Sequence, residues 1–137
     1  MDKPEDRAWF DGACASNPGG AMGAGWRITR ANGIVQEGWE SWPPAAENTN
    51  NRAEYLALAG LLRAYLQAGG QGPLLIQGDS RLVINHLTGA WKCRDQALRP
   101  LLAEALTLAG QVPDGVRFEW VPRARNTQAD ALSRAGN

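Results

Sequence analysis

Asp11 in Phe-Asp-Gly-Ala, Glu54 in Thr-Asn-Asn-Arg-Ala-Glu, Asp79 in Gly-Asp-Ser and Asp130 in Gln-Ala-Asp-Ala-Leu are the side chains of this sequence best suited to chemistry. Carboxylates are hard oxygen donors, and several of them converging from separate elements can hold two divalent cations about 4 Å apart. Such a pair activates water and steadies a departing oxygen in phosphoryl hydrolysis. Zinc chemistry is disfavoured, because there is one histidine and the two cysteines, Cys14 and Cys93, are far apart with no Cys-x-x-Cys. A disulfide between them is conceivable, but two reduced thiols in a cytosolic protein is the simpler reading.

Each carboxylate falls where a strand ends or a helix begins. Trp9-Phe10 leads into Asp11-Gly12, and a Ser16-Asn17-Pro18-Gly19-Gly20 turn cluster precedes a strand from Met22 to Thr29. Ala31-Asn32-Gly33 reads as a hairpin turn, in which Asn and Gly tolerate positive φ. A third strand returns from Ile34 to Trp39 before Pro43-Pro44. From Asn50 to Gln67 the pattern is helical, with Leu58, Leu61, Leu62, Tyr65 and Leu66 on one face, and Gly69-Gly70 ends it. Leu74-Leu75-Ile76 reads as a strand buried on both faces. Short helices follow from Arg81 to Leu87 and from about Asp95 to Ala109, the latter with Leu98, Leu101, Leu102, Ala105 and Leu106 apolar. Val116 to Val121 alternates as a strand, and Thr127 is placed to cap a last helix running through Arg134. The order βββαβααβα implies an α/β fold with one mixed five-stranded sheet and helices packed on it.

Taken singly, the four acids read differently. Glu54 shares the stripe of Leu58, Leu61 and Tyr65, so it points toward the sheet, where an unpaired charge is costly; a place at the stripe's edge, stabilised by the helix dipole, is the competing reading. Asp79 reads first as a helix N-cap, although the carboxyl end of a strand is also where α/β sites are built. Asp11 alone fits an ordinary Asp-Gly turn. Periodicity leaves Asp130 on the surface of its helix.

A length of 137 residues fits one domain, 1–137, with the motifs spread over about 7–135. No apolar run approaches a membrane span and the polar start has no signal-peptide core, so the expectation is a cytoplasmic protein, monomeric and without a membrane partner. Formal net charge is zero, which is unusual for a nucleic-acid binder. Lys92, Arg94 and Arg99, and then Arg117, Arg123, Arg125 and Arg134, leave room for a local basic face.

Phe-Asp-Gly-Ala-Cys-Ala-Ser-Asn-Pro-Gly, Thr-Asn-Asn-Arg-Ala-Glu, Gly-Asp-Ser-Arg-Leu-Val-Ile-Asn and Asn-x-x-x-Asp-Ala-Leu, in this order, resemble the motifs of type 1 ribonuclease H. The resemblance implies an endonuclease that cuts the RNA strand of an RNA–DNA hybrid, leaving 5′-phosphate and 3′-hydroxyl ends. Its two Mg2+ ions, with Mn2+ as a substitute, would be bridged by Asp11, one held also by Glu54 and Asp79 and the other by Asp130. By the same resemblance Gly12, Asn17, Asn50 and Asn51 read the minor groove with its 2′-hydroxyls, Thr49 helps hold a DNA-strand phosphate, and Ser80 and Arg81 lie along the RNA. Asn50 or Asn51 would serve equally well to start the long helix. A non-catalytic hybrid-binding module and another nuclease of the same superfold are the alternatives.

Two departures mark a short, archaeal-type branch. Many members carry a histidine between the last strand and the final aspartate; here Trp120-Val121-Pro122-Arg123-Ala124-Arg125-Asn126 offers Arg123, or Arg125, which stays protonated and so can stabilise phosphate but not act as a base. His86, on a helix, reads as structural. The lysine-rich protrusion of some relatives is also missing, so Trp91-Lys92-Cys93-Arg94 would supply a reduced contact, with Lys92 on phosphate and Trp91 as core packing or a sugar-stacking surface.

Overall fold

Ala8 and Phe10 alternate with Trp9 along the first strand, and this period of two sends them to one face of a sheet where both are fully buried. The computed structural model describes residues 3–136. Its strands are β1 (Asp6–Cys14), β2 (Met22–Thr29), β3 (Val35–Trp42), β4 (Leu74–Gly78) and β5 (Val116–Trp120). Its helices are α1 (Asn50–Gln67), α2 (Arg81–Thr88), α3 (Arg99–Gly110) and α4 (Thr127–Ser133), with a 3-10 turn at Arg123–Arg125. The sheet order is β3-β2-β1-β4-β5, with β1, β2 and β3 antiparallel and β4 and β5 added in parallel. The element order is the one the sequence implies.

Leu58, Leu61, Leu62 and Tyr65 of α1 are fully buried against Ala8, Phe10, Ile28 and Ile76 of the sheet. Burying each such side chain contributes about 1.5–3 kcal/mol. Leu74 and Ile76 are fully buried and Leu75 nearly so, as a strand covered on both faces requires.

Two glycines set how closely the helices approach the sheet. A Cβ on Gly12 would lie 2.2 Å from the Ala53 carbonyl carbon and 2.3 Å from the Glu54 nitrogen, so α1 rests directly on the strand beside Asp11. Gly25 pairs with Asp11 across β1 and β2, and its Cβ would lie 2.4 Å from the Ser133 nitrogen. Gly12 and Gly25 face opposite sides of the sheet. Glu54 and Asp130 therefore reach Asp11 on helices seated against its two neighbours.

Several local readings change. The β2–β3 loop is closed by Gly33 N–H donating to Arg30 O at 2.9 Å, and only Gly33, at φ +91°, takes the left-handed region; Asn32 instead accepts from Ile34 N–H. β3 starts one residue late and runs on to Trp42, because every residue to that point finds a partner in β2. α3 begins at Arg99 rather than near Asp95: the Asp95 carboxylate turns back to the Ala97 N–H, and Pro100 fits only the first helical turn. Leu106 is exposed rather than part of the apolar face. Thr127 is inside α4, with Asn126 at the cap position. Trp91 is half exposed, which removes the core-packing reading.

Gly12→Ala and Gly25→Ala should each destabilise the chain by about 1–3 kcal/mol, because rigid backbone must move to admit the methyl group. Gly110→Ala, where nothing lies within 4 Å, should be neutral or slightly stabilising. Urea unfolding of the three variants measures this. Equal stability of all three would mean that the helices are not held by close approach at those glycines.

Candidate active site

Asp11 and Glu54 are each only 6% exposed. The stripe that places Glu54 over Leu58 turns its carboxylate inward, and Oε1 accepts from the Gly12 N–H at 3.0 Å. Its second oxygen, Oε2, is buried with no protein donor. Oxygens of Asp11, Glu54 and Asp79 lie within 4.8 Å of one another. Asp79 follows β4 directly, and Ser80 rather than Asp79 caps α2, its hydroxyl accepting from Val83 N–H. The Asp79 carboxylate is thereby left free of a capping role, and its backbone carbonyl accepts from the Trp120 indole N–H at 3.1 Å.

Crowding of acids without an internal cation shows in their proton affinities. Burial raises Asp11 to about 7; hydrogen bonding from Glu54 lowers it in part, and the charges of Asp79 and Asp130 raise it again. Burial also raises Glu54 well above its ordinary value, helped by Asp11, against the Gly12 N–H that lowers it. Asp79 is raised by burial, with Asn126 and Arg123 pulling the other way. Asp130 differs: burial would raise it, but Arg134, Asp11 and Arg123 together bring it below the ordinary range.

A cavity of about 450 Å³ opens onto these groups. It is lined by Asp11, Glu54, Asp79 and Asp130, by Gly12, Asn50, Asn51 and Ser80, and by Arg123 and Arg134. Asp130 thus faces the cluster, contrary to the surface position that periodicity gives it. Arg134, four residues on, pairs with it at 2.5 Å, and Arg123, on the 3-10 turn, approaches at 3.8 Å. Arg123 occupies this wall, whereas Arg125 faces a smaller cavity beside Trp9.

Asn17 and Thr49 line an adjoining cavity of about 310 Å³ with Arg52 and Asp95. Thr49 is the N-cap of α1, accepting from Arg52 N–H at 3.1 Å, so neither asparagine caps that helix, although Asn50 is its first residue. Asn50 instead accepts from Cys14 N–H at 2.9 Å, and its own N–H donates to Asn17 Oδ1 at 3.1 Å, a latch between the β1 end and α1. Arg81 and Lys92 line neither cavity. Arg81 stacks 3.9 Å over the Trp120 ring, and Lys92 is exposed in the α2–α3 loop. His86 is buried with Nδ1 2.8 Å from the Tyr55 hydroxyl, a structural role. The sequence reading gives Arg134 and Asn126 no role at the site. The i,i+4 spacing from Asp130 marks Arg134, and Asn126 stands first in the Asn-x-x-x-Asp pattern.

The donor set suits divalent cations. Three clustered carboxylates supply hard oxygens, and the orphaned Glu54 Oε2 needs a positive partner or a proton. No zinc-type nitrogen or sulfur ligand is among them.

A family profile described as "Reverse transcriptase-like" matches residues 9–136. Ribonuclease HI of Halobacterium salinarum is 42% identical over 127 residues, a match that covers 92% of this chain and 61% of that protein. Its RNase H1 crystal structure superposes with a TM-score of 0.84 at 39% identity over 93% of each chain. Ribonuclease H of Paracoccus denitrificans is 32% identical over 94% of this chain and 90% of that protein. LC11-RNase H1, solved in complex with RNA/DNA hybrid, gives a TM-score of 0.82 at 27% identity, covering 93% of each chain. The chain spans less than two thirds of the Halobacterium protein and about a third of the mycobacterial proteins it also matches.

With a chelator present, the folded chain holds protons on Asp11, Glu54 and Asp79 that the unfolded chain releases near pH 4. That stability is present at acid pH and is lost as pH rises through about 7, the Asp11 value. A divalent cation bound among these carboxylates would replace those protons. The rise in Tm on adding Mg2+ should therefore be larger at about pH 8 than at about pH 5.5. His86, lowered by burial, works in the opposite sense below its ordinary value, but its effect cancels between samples with and without cation. Equal Mg2+ shifts at both pH values would contradict the assignment.

Proposed function

As the chain belongs to the type 1 ribonuclease H family, we propose that it is an endonuclease that hydrolyses the RNA strand of RNA–DNA hybrids with two bound divalent cations, Mg2+ or Mn2+. The observation that carries this reading is the Glu54 carboxylate, buried beside Asp11 and Asp79 with one oxygen unsatisfied. Asp11, Glu54 and Asp79 would hold one cation and Asp11 with Asp130 the other. When bound, the cations supply an acidified water and charge stabilisation at the leaving 3′ oxygen, giving 5′-phosphate and 3′-hydroxyl ends.

The chain's own groups set the rest. Gly12, Asn50 and Asn51 border the acidic cavity, where a minor groove would present its 2′-hydroxyls. Asn17, Thr49 and Arg52 border the adjoining cavity, where a DNA-strand phosphate would be held. Arg123 and Arg134 add fixed positive charge on the Asp130 wall, stabilising phosphate charge without moving protons. Stacking on Trp120 covers one face of the Arg81 guanidinium and leaves its edge for the RNA beside Ser80. Lys92, with exposed Trp91 next to it, would touch the duplex at the α2–α3 loop.

Labelled RNA–DNA, RNA–RNA and DNA–DNA duplexes incubated with Mg2+ test this, with internal cuts expected only in the RNA of the hybrid. Asp11→Asn should lower the rate by about a thousandfold or more while keeping hybrid binding. The same change should raise Tm in chelator, because it removes a buried, repelled acid. Trimming from ends would favour another nuclease of the superfold. Hybrid binding with no cleavage by the unaltered chain would favour a binding module, and normal cutting by Asp11→Asn would remove the cation assignment.

A further inference from the structure

Asn126 is 1% exposed, one of the most buried polar side chains in the described chain. Its Nδ2 donates to the carbonyl of Phe10 at 2.8 Å, the residue before Asp11. Its backbone carbonyl accepts the Asp130 N–H at 3.0 Å, and its own N–H donates to Arg123 O at 2.9 Å. One residue therefore touches the strand of Asp11, the helix of Asp130 and the turn of Arg123.

The direction of the amide is forced. Turning it over would set Oδ1 against the Phe10 carbonyl, acceptor against acceptor. Held as it is, Oδ1 is buried without a protein donor. An unmatched buried acceptor costs on the order of 1–3 kcal/mol, which selection for stability alone would remove. Capping does not account for the residue either, since its side chain makes no bond to the first turn of α4. What the amide does make is a cross-link between β1 and the segment that leads into α4.

We propose that Asn126 is a positioning residue for the cation-binding carboxylates. Nδ2 ties the residue ahead of α4 to the carbonyl just before Asp11 and so fixes the Asp11–Asp130 spacing, while the backbone carbonyl sets the start of α4 so that Asp130 faces the cavity. This rests on the hydrolase reading above for its purpose, though not for its measurement. Groups that orient metal ligands from behind typically govern affinity by about 10–100-fold.

The test is Mn2+ titration calorimetry on the full chain, beside cleavage kinetics on a hybrid. Asn126→Ala removes the amide, Asn126→Leu removes it while keeping most of the volume, and Leu132→Ala loosens α4 on the sheet without touching it. Both Asn126 variants should bind Mn2+ about tenfold or more weakly and lose kcat to a similar degree, with KM for the hybrid within about twofold. Leu132→Ala should lower Tm yet leave Mn2+ affinity within about twofold. The proposal is overturned if either Asn126 variant keeps Mn2+ affinity, if Leu132→Ala loses as much, or if neither Asn126 variant folds, which would make the amide a folding element. If the unaltered chain binds Mn2+ with these differences but leaves every hybrid uncut, the hydrolase reading fails and the positioning role stands.

Discussion

Asp11 and Glu54 are buried side by side with no cationic side chain paired to either among the described residues. Two carboxylates in that position cannot both stay charged unless something positive joins them, since an isolated buried charge is too costly to keep. The rest of the structure follows from that demand. Gly12 lets α1 come down until Glu54 accepts the strand's own N–H, and Gly25 lets α4 approach from the opposite face. The sheet order puts β1 in the middle, so Asp79 at the end of neighbouring β4 arrives beside Asp11. A fold evolved for stability alone would not gather acids in this way.

Electrostatic asymmetry runs across the cavity. On one wall Asp11, Glu54 and Asp79 are raised by burial, and on the other Asp130 is held ionised by Arg134 and Arg123. The side rich in guanidinium is also the exposed side, with Arg123 77% and Arg134 61% exposed at the side chain. On the proposed reading, an arriving phosphodiester would meet positive charge at the rim before it meets the acids. Arginine on this wall supplies charge rather than a proton acceptor.

Much of this was legible in the sequence because it rests on periodicity. Leu58, Leu61 and Tyr65 at helical spacing fixed the inward face of α1, and with it the direction of Glu54. β2 and α1 run to the residues the pattern implied. Asp130 was not legible in that way. Its helix is seven residues long, with too few apolar positions to define a face, and its direction comes from contact with Gly25, which no local pattern reveals. α3 starts later than about Asp95 because that carboxylate is spent on a turn ahead of Pro100. Asn126 stands first in the Asn-x-x-x-Asp pattern, but its role is hidden for a related reason: its partner, the Phe10 carbonyl, lies 116 residues away in sequence.

The claim on which all of this depends is that the buried acids are a cation site and not merely a protonated cluster. Anomalous diffraction at the manganese edge, from crystals of the unaltered chain grown with Mn2+ near neutral pH, addresses it directly. The account predicts anomalous density between the Asp11, Glu54 and Asp79 oxygens, with Glu54 Oε2 turned onto it. Flat anomalous maps at that position, with Glu54 Oε2 taken up by a proton shared with Asp11, would contradict it.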